Sequence, residues 1–528
     1  MMRSVLHRAA LVWSMFAGIA LAQANGFVVS SAADSGSGSL RQVLLDAEAN
    51  GVADTIAFSI SGAGCSGTPA VCTIRLLSPL PAITRGAMRI DGYTQPGAVE
   101  NTLVLGSNAR LAIELDGSLA GASDGLVIAT NGAAASGSGS TIRGLIINRF
   151  SGSGIRLEGR RCDSNETGCV VSDVGIEGCF IGTDASGNHP EPNGISGVTL
   201  GTNAINNVIG DNASTTVPIR ANRNIISGNA AYGVLADTGN GDTLYPARGN
   251  IVRNNLIGPA ANTASPPIGN GLHGIRVSRS SVSLVLRDDI IGYNAIHGVD
   301  IESAAGVGLP ELTSLLNNAI IGNASDGVHV RGDGLVSIAG GYSVAGTTVG
   351  IARNGDAGVY VDGDAKVDVQ YVTMVGNGGL GIDIAPPGPN ANDDGDGDAG
   401  PNDLQNHPVI DSAVFDSGTN TVTATGSINT TPDTHVEIQY YVSTDCDASG
   451  QGEGEFAAVD RGDSATTDAQ GHASIRSAPI ALPSGGRYVT AIARRAGASS
   501  GIVVSEFSAC REISGASDRI FRNGFDPP

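Results

Sequence analysis

Asp288 and Asp289 adjoin, and His297 follows one short loop later. Two carboxylates and an imidazole can supply the acid and base that break a glycosidic bond. Alternation along a strand sends neighbouring side chains to opposite faces, so the two acids work as a pair only if a bulge intervenes. A second cluster lies further on. Asn392, Asp394 and Asp396 occupy alternate positions, Gly397 follows, and Asp403 stands at the twelfth place counted from Asn392. Alternate oxygens around a sharp glycine turn mimic a calcium loop of the EF-hand kind. Here Asn takes the opening Asp position and Asp the closing Glu position, while Asp393 and Asp398 stand by as neighbouring donors. Calcium (Ca2+) held by Asn392, Asp394, Asp396, Asp398 and Asp403 would be structural and would stiffen a junction. The competing reading is a solvated acidic linker.

Other chemistries find no support. No Gly-x-Ser-x-Gly elbow stands between a strand and a helix, and no Cys/His zinc spacing occurs. The stretch Gly137-Ser138-Gly139-Ser140 lacks the lysine of a phosphate loop. The formal net charge is −21, and losing Arg3 and Arg8 with a leader moves it to about −23. Such a surface repels nucleic acid and anionic lipid and suits divalent cations.

The elements that must position these groups are announced by a repeat. Asn, three residues, then Gly recurs at Asn193/Gly197, Asn229/Gly233, Asn270/Gly274, Asn294/Gly298, Asn323/Gly327, Asn354/Gly358 and Asn377/Gly381. The Asn-to-Asn intervals are 36, 41, 24, 29, 31 and 23 residues. An apolar pair usually precedes the Asn, and an alternating apolar segment follows the Gly. The shortest intervals suit one coil of three short strands, and the longer ones the same coil with a loop inserted. Each Asn is expected at a turn, bonding the Asn of the next coil and tolerating left-handed backbone, with the Gly making a tight corner. His273, His297 and His329 recur near one turn of the repeat, as do Tyr232 and Ala357, which reads as a tolerant surface corner. Composition agrees: 76 glycines and 15% charged residues against a usual charged fraction of about 25% fit many short strands and tight turns.

Residues 1–24 read as a secretory signal peptide, with Arg3 and Arg8, an apolar run too short to span a bilayer and small-x-small cleavage sites. The mature chain is then exported and without a transmembrane helix, secreted or held at the outer cell surface, and expected to be a monomer. Export permits disulfides. Cys65/Cys72, Cys162/Cys169 and Cys446/Cys510 are candidate pairs, which leaves Cys179 as the buried, reduced odd one.

Residues 25–100 read as an N-terminal cap, with a serine-capped helix after Ser39. Gly38-Ser39-Leu40-Arg41-Gln42, Asp54-Thr55-Ile56-Ala57-Phe58 and Ile90-Asp91-Gly92-Tyr93-Thr94-Gln95-Pro96-Gly97 resemble the CSLREA-type module of exported bacterial β-helix proteins. Gly38 stands where that module carries Cys. The Asn-turn-Gly pattern over 101–386 is similar to the PbH1 repeats of the right-handed, pectin-lyase-like parallel β-helices. The resemblance implies an all-β, right-handed single-stranded parallel β-helix solenoid. Residues 387–407 read as an acidic Gly/Pro/Asp linker. Residues 408–512 read as an immunoglobulin- or fibronectin-like β-sandwich. Residues 513–528 form a tail that resembles a closing signature of secreted proteins.

Many pectin-lyase-like solenoids cleave uronate polysaccharides. The polygalacturonase pattern requires Gly-His-Gly and Arg-x-Lys. Here His273 and His297 follow Leu272 and Ile296, and no Arg-x-Lys exists. Arg276, Arg287 and Arg331 are available as a lyase base, with no acid cluster evident beside them. The reading favoured on sequence is therefore a structural, adhesion or surface-display protein whose partner is an extracellular polysaccharide or protein. The alternative is a polysaccharide lyase or glycoside hydrolase acting on uronate-type chains. An enzyme should gather three or more acids, His or Arg on one face of the stacked coils. A display protein should scatter them.

Overall fold

The computed structural model describes residues 25–515 apart from 51, 133–135, 163–167, 212–216, 240–243, 280, 304–311, 345–346 and 498–500. The expected leader and all but the first three residues of the tail lie outside the described residues. The chain winds as a right-handed parallel β-helix. One coil shows the plan: Val285–Arg287 lies in a first sheet, Ile290–Gly292 in a second and Val299–Ser303 in a third. The sheets hold eleven, eleven and nine strands respectively. Every strand pair in them is parallel except Cys65–Ser66 with Val71–Arg75. The first sheet already begins at Asn25–Val29, paired with Asp54–Phe58, and runs to Lys366–Gln370.

Alternation explains the core. In the first sheet Ile90, Ile142, Ile176, Ile209, Val252, Leu286, Leu315, Ile338 and Val369 stand in register, one per coil. None is more than 3% exposed. Each coil therefore buries its inward residues against its neighbours, and none has a core of its own.

The turn between the second and third sheets carries the repeated Asn. Asn229, Asn270, Asn294, Asn323 and Asn354 each donate from both backbone N–H and Nδ2 to the Oδ1 of the next. Asn193 joins through Nδ2. None of these residues has left-handed backbone. They are selected for the amide ladder, which corrects the expectation that left-handed tolerance matters here. The Gly four residues on is needed for space. A Cβ at Gly298 would stand 2.7 Å from the Nδ2 of Asn323 and 2.5 Å from a methyl carbon of Ile320.

The ladder ends on a carboxylate. Oε1 of Glu453 accepts from the N–H and Nδ2 of Asn377, at 3.0 and 2.8 Å. Glu453 belongs to the C-terminal region, whose two antiparallel sheets form a β-sandwich. One sheet is built on Val409–Asp416 and Thr421–Asn429, the other on His435–Ser443 and Tyr488–Ala496. The sandwich is fastened to the last coils. Arg494 holds Asp368 through two nitrogens at 2.7 and 2.9 Å, and Tyr441 and Phe507 join the solenoid core. The structure pairs Cys65 with Cys72, Cys162 with Cys169 and Cys446 with Cys510. Cys179 is free and buried, and burial pushes its thiol up to about 12.

Removing one rung strands two donors of the rung before it. Asn323→Ala should therefore cost roughly 2–4 kcal/mol in denaturant unfolding. Glu453→Ala should destabilise the last coils more than Glu453→Gln, whose amide oxygen can still accept. Equal losses from the two Glu453 variants would show that the ladder needs no acceptor at its end.

Candidate active site

The structure separates the acids expected to act with His297. Asp288 and Asp289 form the corner between the first and second sheets, and His297 sits at the corner before the third. The strand Ile290–Gly292 lies between them.

Asp288 and Asp289 repeat a corner device. Asn254, Asp288 and Asn317 all have left-handed backbone, with φ of 64°, 56° and 55°. The residue after each points inward and builds a second ladder, Asn224–Asn255–Asp289–Asn318. Asn224 donates Nδ2 to Asn255, Asn255 donates N–H and Nδ2 to Asp289, and Asp289 donates its N–H to Asn318. Asp289 is fully buried, and burial pushes its carboxyl up to about 7. Asp288 points outward, where Nε of Arg253 holds it at 3.0 Å and Nε of Arg287 at 3.4 Å. It borders a cavity of about 330 Å³ together with Arg223, Asn254, Asn317 and Tyr342. The two acids thus face apart, one inside a ladder and one neutralised by arginines. Neither has the geometry of an acid–base partner for His297.

The acidic loop is drawn together differently from its expected calcium set. Asp396 is turned inward: Oδ2 meets Nη2 of Arg495 at 2.7 Å and the Thr430 hydroxyl at 2.9 Å. Asp403 pairs with Nζ of Lys366 at 2.5 Å. Asn392 bonds the backbone of His407, and Asp394 accepts from Asn429. Of the expected ligands only Asp396 and Asp398 converge, with Asp393 as a third. Asn402 turns its side chain inward to bond Val367 and Val504, which aims the second half of the loop. The positive charges facing Asp396 and Asp403 are the protein's own Arg495 and Lys366.

The convergent site lies on the outward face of the third sheet. Two columns run along it. Three residues after the ladder Asn stand Tyr232, His273, His297 and Asp326. Six residues after it stand Arg276, Asp300, His329, Tyr360 and Asp383, in strand register. Asp300 is 1% exposed. Its Oδ2 contacts Nη1 of Arg276, Nη2 of Arg331 at 3.4 Å and Nε2 of His273 at 3.4 Å. Asp326 lies one coil on. Its Oδ2 stands 3.1 Å from Nδ1 of His297 and 3.8 Å from Nδ1 of His329. Nδ1 of His329 meets Nε2 of His297 at 3.1 Å. The rings of Tyr232, His273, His297, His329 and Tyr360 pack in sequence at centroid distances of 4.7 to 5.8 Å. Burial pulls the His273 imidazole down to about 4 and lowers that of His329. Burial raises the carboxyl of Asp383.

His297 was singled out by sequence, but in the company of the wrong acids and as an exposed corner. Its side chain is 12% exposed, walled by neighbouring coils. Asp300, Asp326 and His329 carry no local motif. They meet because they occupy offsets three and six of successive coils. Aligning the repeats on the ladder Asn, loops removed, is the signal that finds them.

No family model matches the chain, and no curated protein matches it. Among solved structures, a double mutant of a periplasmic alginate epimerase matches with 13% identity over 64% of this chain and 74% of that one, at a TM-score of 0.31. A tailspike protein from Acinetobacter baumannii bacteriophage Fri1, a capsular polysaccharide depolymerase, matches with 10% identity, covering 93% of this chain and 83% of that one, at 0.25. A pectate lyase matches with 13% identity, covering 71% and 82%, at 0.21.

Asp289 and His273 make opposite pH predictions. Asp289 holds its proton more tightly folded than unfolded, so stability falls as pH rises from 3.8 through about 7. Asp289→Asn keeps an uncharged carbonyl oxygen for the two donors of Asn255. That variant should gain roughly 2–4 kcal/mol above pH 7 and little at pH 4. His273 resists protonation when folded, so stability falls as pH drops from 6.5 towards 4. His273→Gln should remove that acid-side loss in thermal unfolding across the same window.

Proposed function

We propose that this chain is an exported β-helix protein that acts on an extended polysaccharide by acid–base chemistry on the outward face of the third sheet. The supporting observation is the convergence of His297, Asp326 and His329 beside Asp300, itself clamped by Arg276 and Arg331. Three disulfides in the chain support export. No helix among the described residues is long and apolar enough to cross a membrane.

The face suits a linear polymer because it repeats with the coils, one step every ~4.8 Å. Burial lowers the affinity of His329 for a proton, which favours its neutral ring. Asp383, two coils further on in the same column, is pushed the other way and holds its proton longer. Asp326 orients both histidines from within the cluster. Uronate chains are the first class to test, since the proton beside a sugar carboxylate is acidified and within the power of a neutral imidazole. The acidic surface opposes a polyanion, which makes added divalent cation part of the test. Display or adhesion on the cell surface is the second reading, favoured by the acidic, disulfide-bonded exterior and the absence of tryptophan from the described residues.

The assay is a screen of the full mature protein against uronate and neutral polysaccharides, with and without calcium, following unsaturated products and reducing ends. Turnover reduced at least ~100-fold in Asp326→Asn and His329→Gln, with folding retained, is the expected result. Loss in Asp288→Asn but not in Asp326→Asn would move the site to the other corner. No turnover on any polymer, with retention on bacterial surfaces, would establish display instead.

A further inference from the structure

His297, Asp326 and His329 offer one ligand atom each within 4.8 Å of one another. Their contacts contain a conflict. Nδ1 of His297 accepts from the backbone N–H of Asp326 at 3.2 Å, which calls for a lone pair on that nitrogen. The same nitrogen stands 3.1 Å from Oδ2 of Asp326, also an electron-pair donor. Two such atoms repel at that distance unless a proton on Nδ1 or a metal ion sits between them, and a metal ion would take the Nδ1 lone pair in place of the Asp326 N–H. His329 turns its Nδ1 to the cluster, and two unsatisfied buried atoms border it. Nε2 of His329 is buried without a hydrogen-bond partner, 3.9 Å from the carboxylate of Asp362. Oδ1 of Asp300, in the neighbouring coil beneath His329, is likewise buried and without a partner.

We propose that His297, Asp326 and His329 bind one divalent transition-metal ion, with zinc as the preferred occupant. Two imidazoles and one carboxylate are the nitrogen–oxygen set that zinc takes, and calcium and magnesium prefer all-oxygen sites. Only a neutral ring nitrogen can ligate, so binding is expected to weaken as the pH falls. The side chains are 12%, 7% and 14% exposed, so the cluster is walled on the coil side and reached from outside. Three ligands leave a position open to solvent, the arrangement of metal sites that act on a substrate. The ligands come from two successive coils, so the ion would tie one coil to the next. As a role in turnover the proposal rests on the polysaccharide reading; as a metal site it does not.

The test uses the full mature protein, stripped with chelator and dialysed. Zinc alone is titrated by calorimetry, and cobalt replaces it for a visible spectrum. One zinc per chain, a raised melting temperature and a cobalt spectrum with nitrogen ligands are expected. Affinity should fall at least tenfold in Asp326→Asn and His329→Ala, and stay unchanged in Asp398→Asn, which alters the other acidic cluster. The cobalt spectrum of the unaltered protein decides the matter even if a variant fails to fold. No zinc bound at micromolar concentration, or binding unaffected by both ligand variants, overturns the site. An imidazolium–carboxylate pair seen by NMR in the presence of zinc does the same, since a proton then reconciles the contact. Zinc bound without turnover of any polymer leaves the metal site standing and removes the function proposed above. Turnover by the chelated protein removes the metal's role in turnover and leaves the site to be decided by the zinc titration.

Discussion

The structure depends on a side-chain amide that bonds the same amide one coil later. A parallel β-helix satisfies its strands by stacking them, but each turn leaves backbone groups that no strand can reach. At the corner between the second and third sheets, Asn solves this with one residue. Its oxygen takes two donors from the coil before, and its nitrogen bonds both the next Asn and a carbonyl of an earlier strand. Such bonds are modest singly and costly to break once buried. They also fix register. A coil displaced by one residue would lose its ladder contacts and turn its apolar residues outward together.

That register is what builds the third-sheet face. With every coil locked at its Asn, residues three and six positions later fall into straight columns. Chemistry along the face is therefore written one residue per coil, with intervals of 24, 29 and 31 residues across the histidine region. Insertions such as 259–267 change the spacing in sequence without disturbing the columns.

This explains which parts could be read in advance. The solenoid was legible because Asn and Gly lie four residues apart in every copy, and because Ile and Val alternate locally around them. The sandwich was legible from strands and turns of ordinary spacing. The acids at 288 and 289 drew notice because they adjoin. Yet adjacency in a coil means opposite sides of the wall: Asp289 takes an Asn's place in a ladder, and Asp288 takes an Asn's place at a left-handed corner. His329 is visible in the sequence only as one of three histidines recurring near a turn, and Asp326 carries no signal, because their partners lie a coil away. In the acidic loop the spacing was real, but Arg495 and Lys366, far off in the chain, decided where Asp396 and Asp403 would turn.

Glu453 occupies the place where an eighth ladder Asn would stand. A stacked solenoid otherwise presents at its last coil a row of unsatisfied strand groups and an apolar cross-section, the template on which a second molecule could continue the winding. A carboxylate there accepts what the last Asn donates and has no N–H to pass on. The sandwich that carries it covers the cross-section. The amide ladder that makes the fold extensible thus also carries its own terminator: the last Asn meets an acceptor that offers no amide to a further coil.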